Sequence, residues 1–360
     1  MENSMELYGF ETALELPDVR FREVREKPFD IYGLYEPQNE GVFLRMPDSV
    51  AEATSPSVRN LNKNTAGGRV RFCTDSRYVA IHAEMPYMYR ADHFPRTGSS
   101  GFDLYVLEGA HYYYYGTYCP TIDADSKMLE GVINFPDRRL RQIMIHFPLY
   151  SQVEKLYIGL QQDAMLDHGR RYRYEKPVVY YGSSITQGGC ASRPGTSYQA
   201  IIGVDHDCNY INLGFSGSAK GEPAIRDYIA SLDMSVFVMD YDHNAPTVEH
   251  LKETHEPLYR AVRAAHPTLP IVMISKPETQ WYIYPDTVQA KSFPQRRAVV
   301  LETYMKALSE GDLNVQFIDG DSLFEGAHHD ACTVDGCHPN DAGFFRMADK
   351  IGHVVGALLK

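Results

Sequence analysis

The chain has 360 residues, 44% hydrophobic and 23% charged, a composition that excludes a disordered protein and gives length enough for two domains of ~150 residues. No apolar run approaches the ~18–20 residues that a membrane helix needs, so a membrane partner is not expected. The formal net charge is −12, and residues 178–360 carry 22 acidic against 14 basic side chains, which argues against nucleic acid as a partner and suits a neutral ligand better than an anionic one.

The N-terminal stretch carries Glu2, Glu6, Glu11 and Glu15 and lacks the basic start and apolar core of a secretory signal. Six cysteines are scattered with no C-x-x-C pair, the pattern of free thiols in a reducing compartment, so a cytoplasmic location is the expectation.

Up to about residue 65 no clear periodicity emerges. Residues 69–85 then give two short β-type runs around Thr74-Asp75-Ser76, and residues 101–118 give two more around Glu108-Gly109. Further β-branched or aromatic runs follow at 142–147 and 155–160. Short strands at this spacing, separated by turn residues, predict a β-sandwich. Tyr112, Tyr113, Tyr114 and Tyr115 fall in one run; alternation lets at most half of them share a surface, and sandwich core or an interface is the favoured reading over sugar binding. Residues 170–177, polar, basic and ending in proline, read as a linker. The expected domains are 1–172, a jelly-roll-like β-sandwich, and 173–360.

Beyond the linker the rhythm changes. Short apolar runs at 178–181, 210–213, 236–239, 271–274 and 315–318 alternate with helical patterns. Leu251, Leu258, Val262 and Ala265 are at helical spacing, with Pro257 interrupting them; Phe344, Met347, Ala348, Ile351 and Val355 form a cleaner stripe behind Asn340 as N-cap. Alternating strands and helices predict a three-layer α/β/α domain with a parallel sheet.

In such a sheet chemistry collects beyond the carboxyl ends of the strands. After the first strand comes Gly182-Ser183-Ser184-Ile185-Thr186-Gln187-Gly188-Gly189; after the second, Gly214-Phe215-Ser216-Gly217-Ser218; after the third, Asp240-Tyr241-Asp242-His243-Asn244; before the last helix, Asp335-Gly336-Cys337-His338-Pro339. These segments supply what acyl transfer needs. A serine hydroxyl is a poor nucleophile until a base takes its proton, and His338 is a candidate base. Asp335, three residues earlier, is placed to set a carboxylate against the ring in a tight turn. The Ser184 amide, the Gly217 amide and the Asn244 side chain are candidate donors to an oxyanion, and glycine at 217 would let its amide approach a substrate with no Cβ in the way.

In this order Ser184, Gly217, Asn244 and Asp335-x-x-His338 resemble the SGNH or GDSL-like hydrolases, over residues 177–360. Gly101-Phe102-Asp103-Leu104-Tyr105 is similar to the G-x-D-L-Y motif of an N-terminal β domain found with one branch of that family. Ser183 stands where the family block has aspartate, and Asp242-His243-Asn244-Ala245 where it has G-x-N-D; both changes bear on supporting hydrogen bonds and on the acyl pocket. The resemblance implies a serine esterase with catalytic Ser184, His338 and Asp335, an oxyanion hole of Ser184, Gly217 and Asn244, and no metal or organic cofactor. Its expected substrate is a short-chain ester, acetyl first, on a small molecule or oligosaccharide. The alternatives are a lysophospholipase or thioesterase with the same machinery, and a carbohydrate-binding protein without catalysis. Self-association is compatible with either.

Three weaker features remain. The 182–189 loop lacks both the Gly-Lys-Ser/Thr of a P-loop and G-x-G-x-x-G, so nucleotide binding is disfavoured. His328, His329, Asp330, Cys337 and His338 match no zinc spacing. Trp281 and Tyr282, with Tyr284, lie in a proline-bounded segment and are candidate substrate-binding aromatics, with packing as the equal alternative.

Overall fold

The computed structural model describes residues 8–39, 41–120, 126–277 and 288–360. The chain forms two compact units. One comprises Met1–Arg45, Lys63–Arg171 and Ser192–Gly195; the other comprises Met46–Asn62, Tyr172–Ala191 and Thr196–Lys360. The units interleave along the chain: residues 46–62 group with the later part, and residues 192–195 with the earlier.

The first unit is a β-sandwich. Strands β1 (Val19–Glu23), β2 (Asp30–Tyr32), β3 (Arg69–Thr74), β4 (Tyr78–Glu84), β5 (Phe102–Glu108), β6 (His111–Tyr118), β7 (Met128–Asn134), β8 (Arg141–His146), β9 (Lys155–Gln161) and β10 (Leu166–His168) pair antiparallel in two sheets. One has the order β1-β9-β4-β7 and the other β10-β3-β8-β5-β6, with β2 also on β3. The two runs around Thr74-Asp75-Ser76 thus enter different sheets, so this turn is an arch between layers. The period-2 pattern sends Val70, Phe72, Val79, Ile81, Leu104, Val106, Ile143, Ile145, Leu156 and Ile158 into one core.

The tyrosine run is divided between core and surface. Tyr112 is buried, but Tyr113, Tyr114 and Tyr115 are 57%, 46% and 43% exposed. The β5–β6 register slips here: Tyr105 pairs with Tyr114 and Leu104 with Gly116, leaving Tyr115 as a bulge that breaks the alternation.

The second unit has a five-stranded, all-parallel sheet in the order β12-β11-β13-β14-β15, built from β11 (Tyr174–Gly182), β12 (Cys208–Gly214), β13 (Val236–Asp240), β14 (Ile271–Ile274) and β15 (Val315–Ile318). β11 begins inside the predicted linker. Pro177 cannot donate to a ladder, so pairing with β12 skips from Tyr174 to Val178, while the Pro177 carbonyl still accepts the Ser235 amide at 2.9 Å.

Eight helices matter to the argument: α1 (Asp48–Thr54), α2 (Pro56–Asn62), α3 (Ser184–Gln187), α4 (Tyr198–Asp205), α5 (Pro223–Ser231), α6 (Val248–Ala265), α7 (Val288–Ser309) and α8 (Asp341–Leu358). Val179, Tyr181, Phe237, Met239 and Ile271 on one sheet face share a core with Ala51, Val58, Ile229, Leu251, Leu258 and Val300 from α1, α2, α5, α6 and α7. On the other face Tyr180 meets Tyr198 of α4 edge-on, and Tyr198 stacks on Phe344 of α8. The predicted stripe of α8 is buried throughout, and Asn340 caps that helix by accepting the Gly343 amide at 3.2 Å. α6 runs through Pro257 rather than stopping there, because Leu251, Leu258 and Val262 are fully buried on its inner face while the proline sits on the outer one. Among the described residues, no helix is long and apolar enough to cross a membrane.

Candidate active site

Strand order 2-1-3-4-5 creates a switch point between the first and third strands of the unit, where connections leave in opposite directions and open a crevice at the carboxyl ends. Gly182 at the end of β11 is in register with Gly214 of β12 on one side and Asp240 of β13 on the other. The three motif-bearing segments thus leave the sheet at one level, with Ser184 two residues, Gly217 three and Asn244 four beyond that line.

Close packing shapes the exit. A Cβ on Gly182 would overlap the Thr186 hydroxyl and the Asp240 carbonyl, and one on Gly214 would overlap the Gln187 backbone. Ser183, the departure from the family block, caps α3: its hydroxyl accepts the Ile185 amide at 3.1 Å. Ser184 is the first helical residue, where an N–H has no intrahelical partner.

The structure brings Ser184, His338 and Asp335 together. Ser184 Oγ and His338 Nε2 are 2.9 Å apart, and His338 Nδ1 and Asp335 Oδ2 are 2.7 Å apart. Asp335 Oδ1 also accepts the amides of Cys337 at 2.9 Å and His338 at 2.7 Å, so the carboxylate is fixed by the turn it belongs to. Gly336 makes that turn with φ of +80°. Partial burial pushes the Asp335 carboxyl up, but the His338 ring and the two amides outweigh it and hold the pKa at about 2. Both ring nitrogens of His338 are thus engaged, Nε2 by Ser184 and Nδ1 by Asp335.

Gly217 has φ of +65°, and nothing lies within 4 Å of where its Cβ would be. A left-handed backbone of this kind favours glycine by itself, beside any need for a substrate to come close to its amide. Asn244 Oδ1 accepts the Ala219 amide at 3.4 Å, an arrangement that leaves its NH2 end as the donor. A cleft lined by Asp242, Ser275, Lys276, Phe293, Arg297 and Asp321 opens beyond the carboxyl ends of β13 and β14. Trp281, Tyr282 and Tyr284 lie outside the described residues.

Two groups were not singled out from sequence. Asp240 is fully buried, and its Oδ2 accepts the Thr186 hydroxyl at 2.9 Å and the Tyr198 hydroxyl at 3.0 Å. Burial, with the charge of Asp242 adding to it, raises its pKa to about 7. Thr186 is held from the other side as well, its carbonyl accepting Gln199 Nε2 at 2.6 Å and Asn212 Nδ2 at 2.8 Å. Asp242 bonds the His243 ring at 3.0 Å and the Lys276 amide at 3.1 Å; these outweigh burial and keep its carboxyl below the ordinary value. Burial lowers the His243 pKa, which favours a neutral ring. Cys190 is buried and its thiol is pushed up to about 12, so it is not a competing nucleophile.

The profile of the GDSL-like lipase/acylhydrolase family matches residues 175–356. The profile for the N-terminus of SGNH-hydrolase-type esterases, named for G-x-D-L-Y, matches residues 19–166. No curated protein matches the chain. Among solved structures, a protein of Bacteroides ovatus described as a GDSL-like lipase superposes with a TM-score of 0.84 at 27% identity, covering 95% of this chain and 98% of its own. A salicylyl-acyltransferase from a tetracycline biosynthetic pathway gives 0.78 at 19% identity, covering 95% and 98%. An acetyl xylan esterase from the rumen bacterium Butyrivibrio proteoclasticus gives 0.57 at 10% identity, covering 94% and 97%; these last two show likeness of fold.

Proposed function

The chain belongs to the GDSL-like lipase/acylhydrolase family, and from that premise we propose that it is a serine esterase removing short acyl groups, acetyl first, from carbohydrate hydroxyls. The observation that carries this reading is the unbroken relay from Ser184 Oγ through the His338 ring to Asp335, at 2.9 and 2.7 Å.

Ser184 Oγ attacks the ester carbonyl while His338 Nε2 takes its proton. The negatively charged Asp335 fixes the tautomer with the lone pair on Nε2 and stabilises the imidazolium that forms. The oxyanion receives N–H groups from Ser184, Gly217 and Asn244. Collapse expels the alcohol, which leaves with the proton from His338, and an acyl-serine remains. Water then attacks with His338 as base, and the carboxylic acid and free Ser184 are regenerated.

Support for a sugar substrate is the net charge of −12, which suits a neutral ester, together with the carbohydrate esterases among the structural neighbours. The test is acetate release from p-nitrophenyl acetate and from acetylated xylo- and cello-oligosaccharides. Ser184→Ala should remove turnover by ~10⁴-fold or more while leaving the thermal midpoint nearly unchanged. Preference for long acyl chains or acyl thioesters would favour the lysophospholipase or thioesterase reading. Sugar binding with no turnover and no labelling by a fluorophosphonate would favour a binding protein.

A further inference from the structure

Asp103 of the G-x-D-L-Y run plays no part in the chemistry above, yet it is completely buried in the first unit. A buried carboxylate is costly unless its oxygens are paired, and these are. Oδ1 bonds His146 Nδ1 at 3.0 Å; Oδ2 accepts Arg193 Nη1 at 3.0 Å and the Gly195 amide at 2.9 Å. Tyr105 lies two residues further along β5 and therefore on the same face. Its hydroxyl donates to the Gly195 carbonyl at 3.3 Å and accepts from Arg193. The Arg193 guanidinium also lies 3.9 Å over the Tyr114 ring, and the Thr97 hydroxyl donates to the Ser192 carbonyl. A Cβ on Gly195 would overlap the Tyr105 hydroxyl. The strap Ser192–Gly195 is thus gripped at three of its four residues by the sandwich unit with which it is grouped.

This strap continues directly from the serine turn, and the chain between them has little slack. The Ser184 carbonyl accepts the amides of Gly188 at 3.1 Å and Gly189 at 2.8 Å, and the Gly188 carbonyl accepts the Ala191 amide at 3.2 Å. Gly188 and Cys190 both hold positive φ, 97° and 73°. The placement of Ser192 is therefore passed along a hydrogen-bonded segment to Ser184.

We propose that Asp103 and Tyr105 are positioning residues for Ser184: by clamping Ser192–Gly195 they fix where the serine turn stands. The inference rests on Ser184 being the nucleophile. A buried ion pair adds little net stability over an apolar replacement, and its best-attested use is to select one geometry, which is the use assigned here.

The test uses the full chain carrying Asp103→Asn, Tyr105→Phe or both. Each variant is assayed at a temperature where circular dichroism shows it folded. The readouts are kcat and KM for p-nitrophenyl acetate and the rate of fluorophosphonate labelling. Asp103→Asn should lower kcat and the labelling rate together by ~10–100-fold with KM within ~3-fold. Tyr105→Phe, which removes one hydroxyl, should lower both by ~3–10-fold. The double variant should be no worse than Asp103→Asn, because the two act through one strap. A folded variant with wild-type kcat and labelling overturns the inference, as does a lowered thermal midpoint with kcat intact. If Asp103→Asn does not fold, Tyr105→Phe decides. A wild-type protein that hydrolyses the ester but resists the probe overturns the nucleophile itself, and this inference with it.

Discussion

Asp335 and Asp240 are carboxyls pushed in opposite directions, and each has its own pH signature. The folded value of Asp335, about 2, lies below its ordinary 3.8. Its contribution to stability is therefore present above that ordinary value and is lost as pH falls through about 2. Asp335→Asn should cut kcat by ~10²–10⁴-fold, because the imidazole loses both tautomer and counter-charge. It should also flatten the loss of stability below about pH 4, as urea midpoints at about pH 5 and pH 2.5 would record. Asp240 is raised from 3.8 to about 7. The folded state then holds a proton that the unfolded state releases, so stability falls as pH rises between those values. Asp240→Asn cannot ionise and should remove that fall. At roughly 1.4 kcal/mol per unit of displacement, the variant should gain relative to wild type on going from about pH 4.5 to pH 8.

At the scale of elements, most strands and the order of the motif-bearing segments were legible because buried parallel strands are written as short apolar runs ending in glycine or polar residues. Residues 178–181 and 271–274 are examples, the second of which coincides with β14. Register makes the rest: once Gly182, Gly214 and Asp240 are level, the segments after them must neighbour each other. What stayed illegible depended on tertiary contact. The slip that leaves Tyr115 as a bulge is set by pairing with β5, and the role of Asp240 depends on Thr186 and Tyr198, 54 and 42 positions away. Pro257 was read as a break, but burial of Leu251, Leu258 and Val262 carries α6 across it. The residue is exposed and its ring removes one helical hydrogen bond. Pro257→Ala should accordingly stabilise the protein by ~1–3 kcal/mol in urea unfolding, with kcat unchanged.

For the molecule as a whole, the chain passes between its two units at Arg45/Met46, Asn62/Lys63, Arg171/Tyr172, Ala191/Ser192 and Gly195/Thr196. Residues 173–360 alone would retain the serine, the histidine and the whole parallel sheet except the join to Tyr172. They would lack Met46, Ala51 and Val58, which are fully or almost fully buried members of the apolar core over that sheet. A polypeptide cut at 173 should bind a hydrophobic dye and unfold without a sharp transition, whereas the full chain should unfold cooperatively.

The interleaved path also limits how such an enzyme can be inherited or rebuilt. A recombination joint at the junction of residues 171 and 172 would strand a helical pair on one parent and a four-residue loop on the other. Neither half can be swapped as a cassette without carrying its borrowed piece along. Engineers grafting this hydrolytic half onto a new scaffold would have to transplant residues 46–62 and supply a substitute anchor for residues 192–195.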